Sequence, residues 1–271
     1  SPDYETKITT LLTAHAEMDA YMQKRQSDMF AHFDNGFIEP LDAYLKQPGV
    51  DTRAVDAYRE AVTIEGKVVA VPWRGAAYYT FYNKKLFEKA GISTPDVYVK
   101  EGTWTWDKFA EVSRKVSSGD GTVYGATVYI WGSNHLFMQS QNMKPIIDSK
   151  GNIDYDDSVH RFFKMRKELE EAKAMWPLID MKVTKSHYSK QFYDGKAAML
   201  LIGEWFPGFM LSGRDQNLLK GFTWNDWGIT RLPCDSKPYI TQGNPTFNHV
   251  TSYAKQKEAA FRFIGWMGGP E

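Results

Sequence analysis

The sequence holds one cysteine, Cys234, in 271 residues. That count excludes an intramolecular disulfide and any zinc site built on several thiolates. It has no net charge, with 33 Lys and Arg against 33 Asp and Glu. A nucleic-acid binder normally carries a basic face, so this balance argues against that class. No run of eighteen apolar residues occurs, and so no segment has the length of a membrane-spanning helix. The six histidines, at 15, 32, 135, 160, 187 and 249, form no HExxH and no short-spaced pair. No GxGxxG, no phosphate-binding loop and no GxSxG is present. Gly119-Asp120-Gly121 lacks the aspartate spacing of a calcium loop and reads as a turn. Neither a metal site nor a cofactor is expected.

What the chain does have is aromatic side chains: 9 Trp, 15 Tyr and 16 Phe make up 15% of it. Most belong in cores. Several, however, adjoin Pro or Gly, as in Pro72-Trp73, Trp131-Gly132, Trp205-Phe206-Pro207-Gly208 and Trp227-Gly228. Aromatics at strand ends and in loops often face a pocket instead of a core.

The length suits one large domain or two lobes. Residues 66–91, GKVVAVPWRGAAYYTFYNKKLFEKAG, organise the reading. Residues 67–72 are β-branched and apolar and predict a strand, which Pro72 ends. Trp73-Arg74-Gly75 is a break. Residues 77–82 predict a second strand, and Asn83 and Gly91 cap a helix over 84–90. Two strands joined end to end without a hairpin predict a crossover between lobes. A second strand-break-strand occurs at 239–252, broken by Gly243-Asn244-Pro245. Further strands are predicted at 19–23, 124–129, 197–202 and 227–230, with helices at 4–14, 53–63, 104–117, 158–174 and 255–267. Strands alternating with helices predict an α/β chain with mostly parallel sheets. Two crossovers predict a first lobe at 1–75, a second at 76–242, and a return to the first at 243–271, enclosing a hinged cleft.

Four blocks carry a resemblance to a known family. They are AEMDAYMQ with FAHFDNGFIEPLDAYL (16–45), the 66–91 stretch followed by TWTWDKFAEVSRKV, FYDGKAAMLLIGEW (192–205), and DWGITRLP (226–233) with KQKEAAFRFIGWM and Pro-Glu (255–271). Their order and spacing resemble the extracellular solute-binding proteins of ABC importers, in the carbohydrate-binding group that includes maltose-binding protein. The resemblance implies a type II periplasmic-binding-protein fold, two-lobed with a hinged cleft. The family usually has a strand before the helix that opens this chain and further helices after Pro270-Glu271. A fragment with an incomplete first lobe is therefore expected. The family often attaches through a lipidated cysteine near the N-terminus; residues 1–271 show neither that cysteine nor a signal peptide, so the mode of anchoring stays open.

The resemblance places ligand between the lobes near the hinge. Sugars offer apolar C–H faces rimmed by hydroxyls, which flat aromatics and planar polar groups recognise. Trp73 would stack on a ring and Arg74 would bond hydroxyls; alternatively Trp73 is core and Arg74 pairs with an acid. Trp205 lies where the family often stacks a sugar, with Glu204 beside it. One of Tyr129 and Trp131 is expected to face ligand. Gln23, Arg25 and Asn244 are further polar candidates. Asp19 reads as a structural cap or turn acceptor.

The reading is a non-enzymatic binding protein that captures a carbohydrate, expected to be an oligosaccharide, and delivers it to an ABC permease in the membrane. It would be a monomer with no nucleic-acid partner, working in the periplasm or on the outer face of the cell membrane, lipid anchoring being one mode. One alternative is a binding protein for a metal ion or a polyamine. Another is a carbohydrate-active enzyme using Glu204 with a second acid, for which no motif supplies the partner.

Overall fold

A computed structural model of the chain describes residues 2–73, 77–144, 146, 152–243 and 245–269. The chain divides into two compact units, the first comprising Ser1–Ala76 with Asn244–Glu271 and the second Ala77–Gly243. Among the described residues the strands are β1 (Ala20–Gln23), β2 (Thr63–Ile64), β3 (Lys67–Val68), β4 (Val71–Trp73), β5 (Tyr78–Asn83), β6 (Tyr124–Val128), β7 (Ala197–Gly203), β8 (Trp227–Arg231) and β9 (Thr246–Val250).

In the first unit the sheet order is β1-β9-β4. Strand β9, from the far end of the sequence, lies between two strands from its first third and runs antiparallel to both. Its core joins Leu12, Met29, Leu41, Val62, Val69 and Val250 with Phe261 and Ile264 of the helix Lys257–Gly268. Asp19 is structural: its Oδ1 accepts the Lys255 N–H at 2.9 Å and fixes the turn after β9. The helix expected over 53–63 stops early. Arg53–Ala57 is helical, Arg59–Val62 tightens to a 3-10 turn, and β2 and β3 then form a hairpin. Glu65 and Gly66, at φ of 49° and 76°, make its two-residue turn, whose twist matches that of the paired strands.

In the second unit the order is β6-β7-β5-β8. Strand β7, AAMLLIG, is buried at every position. Met199 and Leu201 face one core with Trp104, Trp106, Phe109 and Phe162. Leu200 and Ile202 face another with Phe192, Phe206 and Met210. A strand covered on both faces reads as an unbroken apolar run, which is why β7 shows no alternation. The helix Lys84–Ala90 has the expected ends: the Asn83 side chain accepts from the Lys85 and Leu86 N–H groups, and Gly91 closes it at φ 66°.

Expected parallel sheets are overturned. Among the described residues β6 and β7 pair in parallel, while β5 runs antiparallel to both β7 and β8. Here β5 and β9 lie between strands distant in sequence and run antiparallel to them, a sense that the alternation of strands and helices along the chain does not fix. Residues 239–242 form no ladder either. They run beside the start of β5, where the Tyr78 N–H bonds the Gln242 carbonyl and the Thr241 hydroxyl bonds the Tyr78 carbonyl.

Candidate functional site

The parallel pair builds the site in the second unit. Val128 at the end of β6 is opposite Leu201 of β7, so the segments leaving both carboxyl ends emerge side by side. The carboxyl ends of parallel strands are where open α/β sheets present ligand groups. After β6 come Tyr129 and Trp131; after β7 come Glu204 and Trp205. Trp131 starts the 3-10 turn Gly132–Leu136, and Trp205 starts the helix Phe206–Asp215.

These aromatics converge. The Tyr129 and Trp131 rings meet edge to face at 5.1 Å, and the Trp131 and Trp205 rings are 5.8 Å apart at 56°. Tyr188 joins them from below, with its ring 5.3 Å from Tyr129 and 5.6 Å from Trp131. Its Oη accepts the Trp205 indole N–H at 3.0 Å. Trp131 is 38% exposed, whereas Tyr188 is 4% exposed. Tyr129, Glu204 and Trp205 are half-buried. Burial raises the Tyr188 and Tyr78 hydroxyls above the usual phenol range, so neither carries charge at neutral pH.

The backbone around this wall is fixed by buried polar groups. Arg166, 3% exposed, donates from Nη1 to the Val128 carbonyl at 3.0 Å. Its Nε donates to Glu170 Oε1 at 2.6 Å, and the same oxygen accepts the Leu178 N–H. Asn134 Nδ2 donates to the Tyr129 carbonyl at 3.3 Å. The Glu204 N–H donates to the Ala77 carbonyl at 2.9 Å, holding the exit of β7 to the approach of β5.

The remaining expected residues lie in the first unit or outside the described residues. Trp73 ends β4, half-buried, opposite Thr246 of β9. Gln23 is a correction: it is fully buried and donates from Nε2 to Asp28 Oδ2 at 2.9 Å, so it presents no surface to a ligand. The side chain points inward because Gln23 alternates with Tyr21 on the buried face of β1, beside the buried Phe247 of β9. Arg25 is exposed, and its Nε reaches the same Asp28 oxygen at 2.9 Å. Both Arg25 and Asp28 line an open groove of about 620 Å³ with Glu5, Thr6, Thr9, Thr10 and Thr13. Arg74 and Asn244 lie outside the described residues. The structure thus gathers Tyr129, Trp131 and Trp205 with Tyr188, and separately sets Arg25 on Asp28. Sequence reading missed Tyr188, Arg166 and Asp28. Tyr188 has no Gly or Pro beside it, and a buried arginine looks like any other on a charged helix.

An uncharged wall of indole and phenol rings binds flat apolar faces by stacking and by C–H contact with the ring π-systems. Among the described residues no group of three or more His, Cys, Asp or Glu side chains is placed to hold a metal ion. The fold is the mixed α/β periplasmic-binding-protein fold, the fold of solute-binding proteins. The chain belongs to the bacterial extracellular solute-binding protein family, which matches residues 1–271. It is similar to a sugar transporter from Rhizobium etli in an open conformation, with 28% identity over 100% of this chain and 67% of that one at a TM-score of 0.80. An ABC substrate-binding protein from Listeria monocytogenes, solved in complex with cycloalternan, shares the fold at 22% identity over 98% of this chain and 65% of that one, with a TM-score of 0.76. The mannitol-binding protein of Pseudomonas aeruginosa is 26% identical over 102 residues, 36% of this chain and 22% of that protein. The chain therefore spans about two thirds of these solved structures, and its aligned stretch about a fifth of the curated relative.

Proposed function

We propose that this chain captures a carbohydrate outside the cytoplasm and hands it to the membrane permease of an ABC importer. The observation that carries the reading is the wall formed by Tyr129, Trp131 and Trp205 at the carboxyl ends of β6 and β7. Two indoles and a phenol offer stacking faces for the C–H surfaces of sugar rings, and Glu204 supplies an acceptor for hydroxyls at the rim. An oligosaccharide is the ligand proposed, since a wall of several rings offers more apolar surface than one small polyol covers. Trp73, Arg74, Arg25 and Asn244 are proposed as the ligand groups of the first unit. No covalent step is involved; the bound sugar stabilises the conformation that contacts it best. The kinship with a Rhizobium etli sugar transporter and a mannitol-binding protein supports the solute class. The metal-ion alternative has no donor cluster to name among the described residues.

Calorimetric titration of the full chain with maltose, maltotriose, cellobiose and mannitol tests this. Heat from a sugar, lost in Trp205→Ala, is expected. If no sugar gave heat while a polyamine or another solute did, the carbohydrate reading would fail.

A further inference from the structure

The Trp205 indole has one polar atom, and the structure shows where it goes. Nε1–H donates to Tyr188 Oη at 3.0 Å, from a half-buried ring to a hydroxyl on a side chain only 4% exposed. Tyr188 is the residue immediately before the helix Ser189–Tyr193. Its ring is packed from several sides: against Phe209 at 5.7 Å, against Phe206 at 6.2 Å and under His187 at 3.8 Å. His187 is itself tied by Nδ1 to the Ser189 hydroxyl at 2.6 Å. Tyr188 therefore cannot turn without repacking this cluster, and a side chain locked by packing can fix the rotamer of a partner.

We infer that Tyr188 is a positioning residue: it holds the Trp205 indole by its N–H, so that the ring's polar edge turns inward and its apolar face is kept for the ligand. This rests on the carbohydrate reading of the same wall for its consequence in binding, and on the hydrogen bond alone for its effect on Trp205. With its donor already occupied, Trp205 offers stacking and no hydrogen bond. The Tyr188 ring also touches Tyr129 and Trp131, so Tyr188 sets the spacing of all three wall residues while meeting no ligand itself.

The test is Tyr188→Phe in the full chain, which removes one oxygen and keeps the ring. The Trp205 indole N–H resonance is identified as the one missing from Trp205→Phe. In Tyr188→Phe it is expected to move upfield and to exchange with solvent about tenfold faster. Affinity for maltotriose is expected to fall about five- to tenfold, the equivalent of one hydrogen bond's pre-organisation. In the Tyr188→Phe/Trp205→Phe double variant the two losses should be less than additive, because both act through one contact. An unmoved indole resonance, with or without a lower melting temperature, would make Tyr188 a packing residue and overturn the proposal. So would a displaced resonance with unchanged maltotriose affinity, or strictly additive losses. If the wild-type chain bound neither maltotriose nor any other sugar, the carbohydrate reading would fall, and the indole resonance would still decide whether Tyr188 holds Trp205.

Discussion

A Cβ on Gly203 would lie 2.0 Å from Cζ3 of Trp205. The indole therefore folds back over the last residue of β7, into space that any side chain there would fill. Gly203 is needed for close approach and not for an unusual backbone angle. The Gly-Glu-Trp order is a geometric unit: a glycine that leaves a slot and a tryptophan that occupies it.

Gly203→Ala should expel the ring. The expected cost is about 1–3 kcal/mol in urea unfolding, the range for overpacking a tight site. Near-UV circular dichroism should change with it, because an indole loses its fixed surroundings. An alanine tolerated with no change in either signal would show that the ring sits elsewhere in solution.

Trp131 and Trp205 should separate binding from stability. Trp131 is 38% exposed, so Trp131→Ala should shift unfolding by less than about 1 kcal/mol. It should nonetheless weaken the best-bound sugar about tenfold or more, as truncating a stacking aromatic does. Trp205 packs against both cores of its unit, so Trp205→Ala should lower affinity and stability together. Paired calorimetry and urea titration distinguish the two patterns.

Removing Glu170 should cost more than removing Arg166. The Arg166 side chain is 3% exposed and Glu170 is its ion-pair partner. Glu170→Ala strands a buried guanidinium and should destabilise by about 3 kcal/mol. Arg166→Met leaves a carboxylate that water can still reach, and about 1–2 kcal/mol is expected, mainly from the lost bond to the Val128 carbonyl. Equal losses in the two variants would mean that the charge is hydrated in solution.

His249 should make the first unit acid-sensitive. It is fully buried between strands, its Nδ1–H bonds the Val69 carbonyl at 2.8 Å, and its ring stacks on Tyr21 at 5.0 Å. Burial holds its pKa down to about 4. The unfolded chain protonates near 6.5 and the folded chain only near 4, so the unfolded state binds more protons in that window. Stability is full above pH 6.5, falls as pH drops toward 4, and levels off below. About 2 kcal/mol should be lost between pH 7 and pH 5. His32, also lowered by burial, adds in the same direction. Unfolding at the two pH values should show the loss in the wild type and a flatter response in His249→Gln.

Much of this was legible in the chain itself. The unbroken apolar run of β7, the Asn83 and Gly91 helix ends and the aromatics beside Gly and Pro are local properties. Local sterics and hydrogen-bond supply determine them, so residue type alone predicts them. The recurring blocks placed Trp205 and the two-unit organisation in a family for the same reason, since they preserve local motifs in order. What only the tertiary structure decided was adjacency. The place and sense of β5 and β9 in their sheets depend on long-range pairing, and periodicity carries no such information. Gln23 was turned inward because the fold covers the face of β1 that it shares with Tyr21. Tyr188 entered the wall because the segment before the helix Ser189–Tyr193 packs against the residues that leave the ends of β6 and β7. Long-range pairing brings these side chains within hydrogen-bond reach, and no spacing along the chain encodes that distance.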